Sequence, residues 1–493
     1  MTIKHTATLI AILSFCLGQL AASTLTMPLE QIKPGMKGKG KSVFLGRAVE
    51  EFDIEVLGVV QNVQPKRNVI LARLSGKDLE KTGIIQGMSG SPVYIDGKLI
   101  GAVAYSFSFA KEPVAGITPI GEMLAIAEQP KQSRPAAASM LPLRSSLSLD
   151  DLLLIQKNLF SGRTSFVSQG KTFAPLGVPL LFGGFSPGVV EKVRPLLAGW
   201  GFSPVGVSTD GQRIDVSTPS APALREGDPV AVELVSGDLR VAAVGTVTQV
   251  DGDKVLAFGH PLYNLGKVDY AMSQAEVLAV VPSLESSFKL AAVGARVGRF
   301  IQDRAAGTLG ELGKMPQLVP VNIRLIESGG KIKEFKIELA NDKVFTALLT
   351  NMTVSSLLAS EERSYGDLSC ALEGDLYLDS GASVHLEDLF SGNLDTATTN
   401  LSGLLTAVVY YLTNNEFQEV GIHRLDLNLR VLEEAKFAYL ERIWLDKYEV
   451  SAGERIQVKI YCRAFGGQSF EEAVVIEAPP LPAGSEFHRL IGD

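Results

Sequence analysis

The sequence predicts a mostly β protein, and three observations carry that prediction. Alternating β-branched and polar residues fill two long blocks, one from Leu25 to near Glu128 and one that begins at Arg225. Turn signals such as Asp96-Gly97, Ser236-Gly237-Asp238 and Asp251-Gly252-Asp253 cut these blocks into short strands. The composition, 46% hydrophobic and 20% charged over 493 residues, has too many core formers and too little charge for a disordered chain. The expected architecture is two β-barrel halves with an α/β linker segment between them, some helix at 351–420 and a C-terminal β-sandwich module.

The elements follow in order. Residues 1–23 open with MTIKH, continue through an apolar run and end on small residues at Ala21, Ala22 and Ser23, which is the pattern of a secretory signal peptide. Phe15 before Cys16 is a poor fit to a lipoprotein cleavage box, so no lipid anchor is expected. The mature chain is expected outside the cytoplasm, periplasmic or extracellular. Residues 24–128 form the first barrel half, with strands in KSVFLGRAVEEFDIEVLGVVQNV, NVILARLSG and SPVYIDGKLIGAVAYSFSF. Residues 129–220 read as a linker rich in Pro, Ser and Ala, followed by a small mixed segment. In it a helix is predicted from Pro187 to Trp200, with Val190, Val193, Leu196 and Leu197 on one side. Thr172 to Val190 carries no charge, but Pro175, Pro179 and Pro187 would break a helix in lipid, so no transmembrane span is expected after signal removal. Residues 221–350 form the second barrel half, including a strand pair near 319–340. Residues 351–423 are a mixed helical segment in which LSGLLTAVVYYLTNNEF is the best amphipathic candidate, and 424–493 alternates again in RIQVKIYCRAF and AVVIEAPPLPAG.

Several functions are excluded. A net charge of −8 without a basic run argues against nucleic acid as a partner. Three cysteines and five histidines with no CxxC and no HExxH argue against zinc or haem, and neither a metal nor an organic cofactor is expected. Cys370 and Cys462 could pair in an oxidising compartment, which the sequence leaves open. Gly35 to Ser42 matches the phosphate-cradling pattern GxxxxGK[ST], but that motif needs a helix after it and the continuation reads as strand. A glycine-rich turn with solvated lysines is expected there, and no nucleotide.

Chemistry concentrates elsewhere. Gly87-Met88-Ser89-Gly90-Ser91-Pro92 is a GxSGxP turn, in which the chain folds tightly around a serine and the Gly87 and Ser89 N–H groups can serve as an oxyanion hole. Such a serine needs a base, and His260, in a loop after Phe258-Gly259, is the natural partner in a chain with so few histidines. A third group would orient the imidazole. Asp303 is the candidate from spacing, with Asp78 nearer Ser89 and Asp269 nearer His260 as alternatives, and a site without an acidic member is also open.

These residues resemble a known family, the SpoIVB serine peptidases. VEEFDIEVLGVV at 49–60, LEKTGIIQGMSGSPVYIDGKLIGAVAYSF at 79–107 and the pair Gly259-His260 are similar to its signature blocks. The resemblance implies a chymotrypsin-like fold, Ser89 as nucleophile, His260 as general base, and a specific envelope protein or the chain itself as substrate. In the family the GH block precedes the serine block, whereas here it follows, so the two barrel halves are expected in permuted order. The family's acidic residue falls near Ser75 here. The rival expectation is a non-catalytic envelope protein that binds a partner on a peptidase-like scaffold.

Overall fold

A computed structural model describes residues 24–107, 110–129, 144–152, 166–168, 171–207, 224–343, 345–361, 367–415, 417–482 and 484–489. The signal peptide expected at 1–23, and most of the Pro-, Ser- and Ala-rich linker, lie outside the described residues. Strands take up 52% of the described residues and helices 16%, so the mostly β expectation holds.

The first six strands are β1 (Lys37–Val43), β2 (Val49–Gln64), β3 (Arg67–Ser75), β4 (Pro92–Ile95), β5 (Lys98–Phe107) and β6 (Val114–Pro119). They pair antiparallel in the order β4-β1-β2-β3-β6-β5, and a further β4–β5 pairing closes the ring. Asp96 and Gly97, with φ of 49° and 72°, make the two-residue turn between Ile95 and its cross-strand partner Lys98. Phe52, Ile54, Ile70, Leu74, Val93 and Ile117 are among the side chains that fill this ring.

β1 corrects one expectation. The glycine-rich segment is not a solvated turn but a strand from Lys37 onward. Its glycines are there for packing: a Cβ on Gly40 would sit 2.1 Å from the Phe52 ring, and one on Gly38 would sit 2.1 Å from the Tyr94 carbonyl oxygen.

The stretch expected as linker and mixed segment contributes strands to both halves. β7 (Phe166–Ser168) pairs with β8 (Lys171–Pro175), and β8 pairs with β5 of the first ring. β9 (Val178–Gly183) and β10 (Phe202–Val207) run parallel, joined by a helix over Pro187–Gly199 that buries Val189, Val190, Val193 and Leu197. β9 in turn pairs with a strand of the second ring.

That ring consists of β11 (Pro229–Gly237), β12 (Arg240–Asp251), β13 (Lys254–Ala257), β14 (Gly266–Val281), β15 (Phe288–Arg304) and β16 (Gly307–Leu312). Its order is β12-β13-β16-β15-β14-β11, closed by a β11–β12 pairing. Counted along the chain, both rings therefore read first, second, third, sixth, fifth, fourth. Ser89 lies on the connection between the third and fourth strands of the first ring, and His260 on the same connection of the second.

The second sheet continues beyond its ring through β17 (Leu318–Ile326) and β18 (Ile332–Ala340), then β19 (Asp367–Leu378), β20 (Ser383–Asn393) and β21 (Ile422–Leu432), in the order β11-β18-β17-β21-β19-β20. Helices Phe345–Glu361 and Leu394–Thr413 belong to the same core, so the helical segment begins earlier than expected and encloses a hairpin.

The C-terminal residues correct the sandwich expectation. β22 (Ala438–Leu445), β23 (Arg455–Ala464) and β24 (Ser469–Glu477) form one three-stranded sheet. The strand that would have begun a second layer, β21, is drawn into the large sheet because Leu425, Leu427, Leu429 and Val431 bury there. What remains has only a small cluster around Ile456, Val458 and Ala478. Cys370 lies on β19 and Cys462 on β23, and no disulfide joins them. No helix among the described residues is long and apolar enough to cross a membrane.

Candidate active site

The serine loop runs from a short helix, Leu79–Thr82, to β4, and its peptide planes are fixed one by one. The Gln86 carbonyl accepts from the Lys289 N–H at 3.0 Å, and the Met88 carbonyl accepts from the Ser91 N–H at 2.9 Å. In a trans peptide the N–H points opposite to the carbonyl, so these two bonds turn the Gly87 and Ser89 N–H groups the other way. The amides of Gln86, Met88, Gly90 and Ser91 are all bonded to backbone carbonyls, to Ser287, Ile85, Val103 and Met88 respectively. Among the described residues those of Gly87 and Ser89 have no partner. Gly87 and Gly90, at φ of 92° and 96°, supply the backbone conformations that such a turn requires.

Besides the Lys289 bond, three more tie this loop to the second ring. The Ser89 carbonyl accepts from the Thr246 N–H at 2.8 Å, the Gly87 carbonyl from Thr246 Oγ1 at 2.9 Å, and the Gly90 carbonyl from Thr248 Oγ1 at 2.8 Å. A Cβ on Gly90 would lie 2.0 Å from the Thr246 carbonyl oxygen and 2.5 Å from the Phe258 nitrogen, so only glycine admits this approach. The Ser89 side chain is fully buried, and its Oγ has no hydrogen-bond partner among the described residues. Structural serines at such depth are normally satisfied, so this orphaned hydroxyl calls for an explanation.

His260 arrives from the other side. Phe258 and Gly259 both take left-handed conformations, with φ of 67° in each, and for a bulky residue such as Phe258 that is strained backbone. The surroundings hold it: the Phe258 ring lies over Gly245, where a Cβ would come within 2.4 Å of it. The Gly259 carbonyl accepts from Thr118 Oγ1 of the first ring at 2.6 Å. A Cβ on Gly259 would lie 3.3 Å from the Val103 carbonyl oxygen, the same oxygen that accepts from the Gly90 N–H. Ser89 and His260 thus each follow or precede by one position a glycine packed on Val103. His260 is itself fully buried. Its Nδ1 lies 2.8 Å from the Pro261 carbonyl oxygen, which can only accept, so Nδ1 carries the proton and Nε2 the lone pair of the neutral ring.

The three acidic candidates separate. Asp303 is fully buried on β15, and its two oxygens accept from the Leu262 and Tyr263 N–H groups at 2.8 and 2.7 Å. Burial raises its pKa to about 6, against the pull of four backbone amides from Leu262 to Leu265. It therefore fastens the loop that supplies the Pro261 carbonyl. Asp78 is exposed and paired with Lys81, which lowers its pKa, and Asp269 is engaged by Arg299 and the Gln317 N–H.

The serine loop, with two unpartnered amides around an orphaned hydroxyl, sits inside the segment on which a comparison with known families settles. Residues 23–124 match the model of the SpoIVB peptidase S55 family. The match spans the first ring with the whole GMSGSP turn and leaves His260 and Asp303 outside it. No curated protein and no solved structure matches the chain.

Sequence reasoning missed Thr246, Thr248, Pro261 and Lys289. The first three act through hydrogen bonds with backbone carbonyls, from the Thr246 and Thr248 hydroxyls and to the Pro261 carbonyl, which no motif announces. Lys289 had a signal: in Phe288-Lys289-Leu290-Ala291 the alternation places it on the inward face with the buried Ala291.

Proposed function

We propose that the protein is an exported serine endopeptidase of the SpoIVB type that cleaves a protein of the cell envelope, or its own chain. The two unpartnered amides at Gly87 and Ser89, beside a buried hydroxyl without a partner, are the observation that carries this reading. Ser89 Oγ and His260 Nε2 are not hydrogen-bonded to each other in the structure, so the reaction requires the two connections to close; His260 Nε2 then takes the Ser89 proton as Oγ bonds to the substrate carbonyl carbon. The Gly87 and Ser89 amides receive the negative charge that develops on the carbonyl oxygen. The C–N bond then breaks, and the amine leaves with the proton held by His260. Water, deprotonated by the same ring, releases the acid and restores Ser89. Asp303 acts as a positioning residue here, through the 261–265 loop, and Pro261 fixes the tautomer.

Both Ser89 and His260 are fully buried, so a substrate carbonyl reaches them only when covering groups move aside. This favours a latent enzyme with a narrow substrate range. The same burial is the one observation that favours the alternative, a non-catalytic envelope protein on a peptidase-like scaffold.

The test is fluorophosphonate labelling of the purified mature protein beside Ser89→Ala and His260→Ala. Labelling that both variants abolish, with their folding intact, supports the peptidase. A folded wild-type protein that stays unlabelled, with and without envelope extract, overturns it in favour of the scaffold.

A further inference from the structure

Lys289, the second residue of β15, is fully buried beneath the serine loop. A Cβ on Gly87 would lie 3.2 to 3.3 Å from its Cβ, Cγ and Cδ, so its stem is the floor of the turn. Its backbone N–H holds the Gln86 carbonyl, the bond that turns the Gly87 amide outward. The side chain ends at Ser42 Oγ, 2.8 Å from Nζ, and Ser91 Oγ donates to the same oxygen at 2.9 Å. Ser42 and Ser91 are also fully buried.

The hydrogen-bond count favours the neutral form of this group. An ammonium has three donors and no acceptor, yet Ser42 is the one hydrogen-bond acceptor that Nζ has among the described residues. A neutral amine that donates to Ser42 Oγ, which also accepts from Ser91, leaves one N–H unmet where an ammonium leaves two, so the buried site suits the amine. The groups facing it are Ser42 and Phe44 near β1, whose ring centroid is 5.8 Å from Nζ, and Gly87 of the loop. Lys289 forms no ion pair among the described residues, and no carboxylate, imidazole or second cation shifts it. Burial alone lowers its pKa to about 7.

The geometry points to Lys289 as a positioning residue for the serine loop: its neutral amine anchors the turn through Ser42 and Ser91, and protonation releases it. An ammonium must find water for its remaining donors, and the loop above it is what has to yield. The consequence for catalysis rests on the peptidase reading above, whereas the anchoring does not.

The test is hydrogen exchange of the full mature chain, read by mass spectrometry on peptides spanning 86–91 between pH 6 and pH 9 and corrected for intrinsic exchange. Protection in the wild type is expected to fall by up to about tenfold for each pH unit as the pH drops from 9 to about 7, and to level off below that, where the folded state holds the proton as well. In Lys289→Met it is expected to be flat with pH. Flat protection in the wild type, or the same fall in Lys289→Met, overturns the inference. Should Lys289→Met not fold, Ser42→Ala reads the same contact: its loop is expected to exchange at pH 9 as fast as the wild-type loop does at pH 6. Retained protection in that variant overturns the anchoring. Labelling at Ser89 gives the second readout. A wild-type acid limb that loses its Lys289-dependent proton in Lys289→Met supports the catalytic consequence, and an acid limb that the variant leaves unchanged overturns it. Loop protection that follows pH in a protein that never labels supports the anchoring and counts against the peptidase reading alone.

Discussion

The Ser89 carbonyl accepts a hydrogen bond from the Thr246 N–H at 2.8 Å, so the serine of the first ring is held by a strand of the second. The two rings share one strand order, and Ser89 and His260 occupy equivalent connections in them. Under the peptidase reading, reversing the order of the rings along the chain would leave this relationship intact, because a Ser/His site is defined by geometry. What must be preserved is the contact between the two connections, and that rests on Gly90, Thr246, Thr248 and Gly259.

Gly90→Ala is expected to be the most damaging small substitution in the first ring. Its Cβ would strike backbone atoms of Thr246 and Phe258 at 2.0 and 2.5 Å, and backbone cannot rotate away. We expect a loss of more than about 3 kcal/mol, together with loss of labelling at Ser89. Gly97→Ala is the control: it has the same left-handed need but nothing within 4 Å, and should cost about 1–2 kcal/mol. Thermal unfolding of the pair separates strain from contact, and equal losses would show that the rings do not depend on this approach.

Thr248→Val removes the donor to the Gly90 carbonyl while keeping the shape of the side chain. The carbonyl stays buried, so the expected cost is about 1–3 kcal/mol in denaturant midpoints. Thr248→Ser, which keeps the hydroxyl, should recover most of it. A valine variant as stable as the wild type would mean that the hydroxyl bond contributes nothing to holding the loop.

The barrels were legible because their strands alternate and their turns are of the Asp-Gly kind, which are local signals. Ser89 and His260 stood out as candidates for the same reason, each standing in a glycine-marked turn. The role of 171–183 was not, since β8 and β9 find partners in different rings and nothing local says which. β21 and β23 read alike as alternating strands, yet one enters the large sheet and the other a separate one. Which partner wins depends on the apolar area available at each place, a tertiary quantity. Spacing made Asp303 a candidate, but its partners, the amides of the 262–265 loop, were beyond reach because sequence shows side chains and not the direction of peptide planes.

Cys370 and Cys462 give a simple check of the arrangement around the C-terminal sheet. They lie on strands of different sheets without a disulfide. Reductant should therefore leave the unfolding midpoint of the mature protein unchanged, whereas a disulfide closing that loop would be worth about 2–4 kcal/mol. A drop of that size on reduction would show that the two strands can meet.

Asp303→Asn tests how the imidazole is oriented. Burial raises the Asp303 pKa from 3.8 to about 6, so the folded state holds the proton more tightly than the unfolded chain. The sign is the reverse of the common salt-bridged carboxylate: stability is greatest below the unfolded value and falls as pH rises through the window from 3.8 to about 6. Above that window the ionised carboxylate costs about 3 kcal/mol relative to a neutral group. Urea unfolding at intervals across the window should show this slope in the wild type and lose it in Asp303→Asn. Labelling at Ser89 should fall on the order of 10–100-fold through displacement of the loop, without being abolished, because the Pro261 carbonyl still sets the tautomer. If Asp303→Asn instead silences labelling as completely as His260→Ala, the carboxylate acts on the ring itself. The Pro261 carbonyl would then not be the group that orients it.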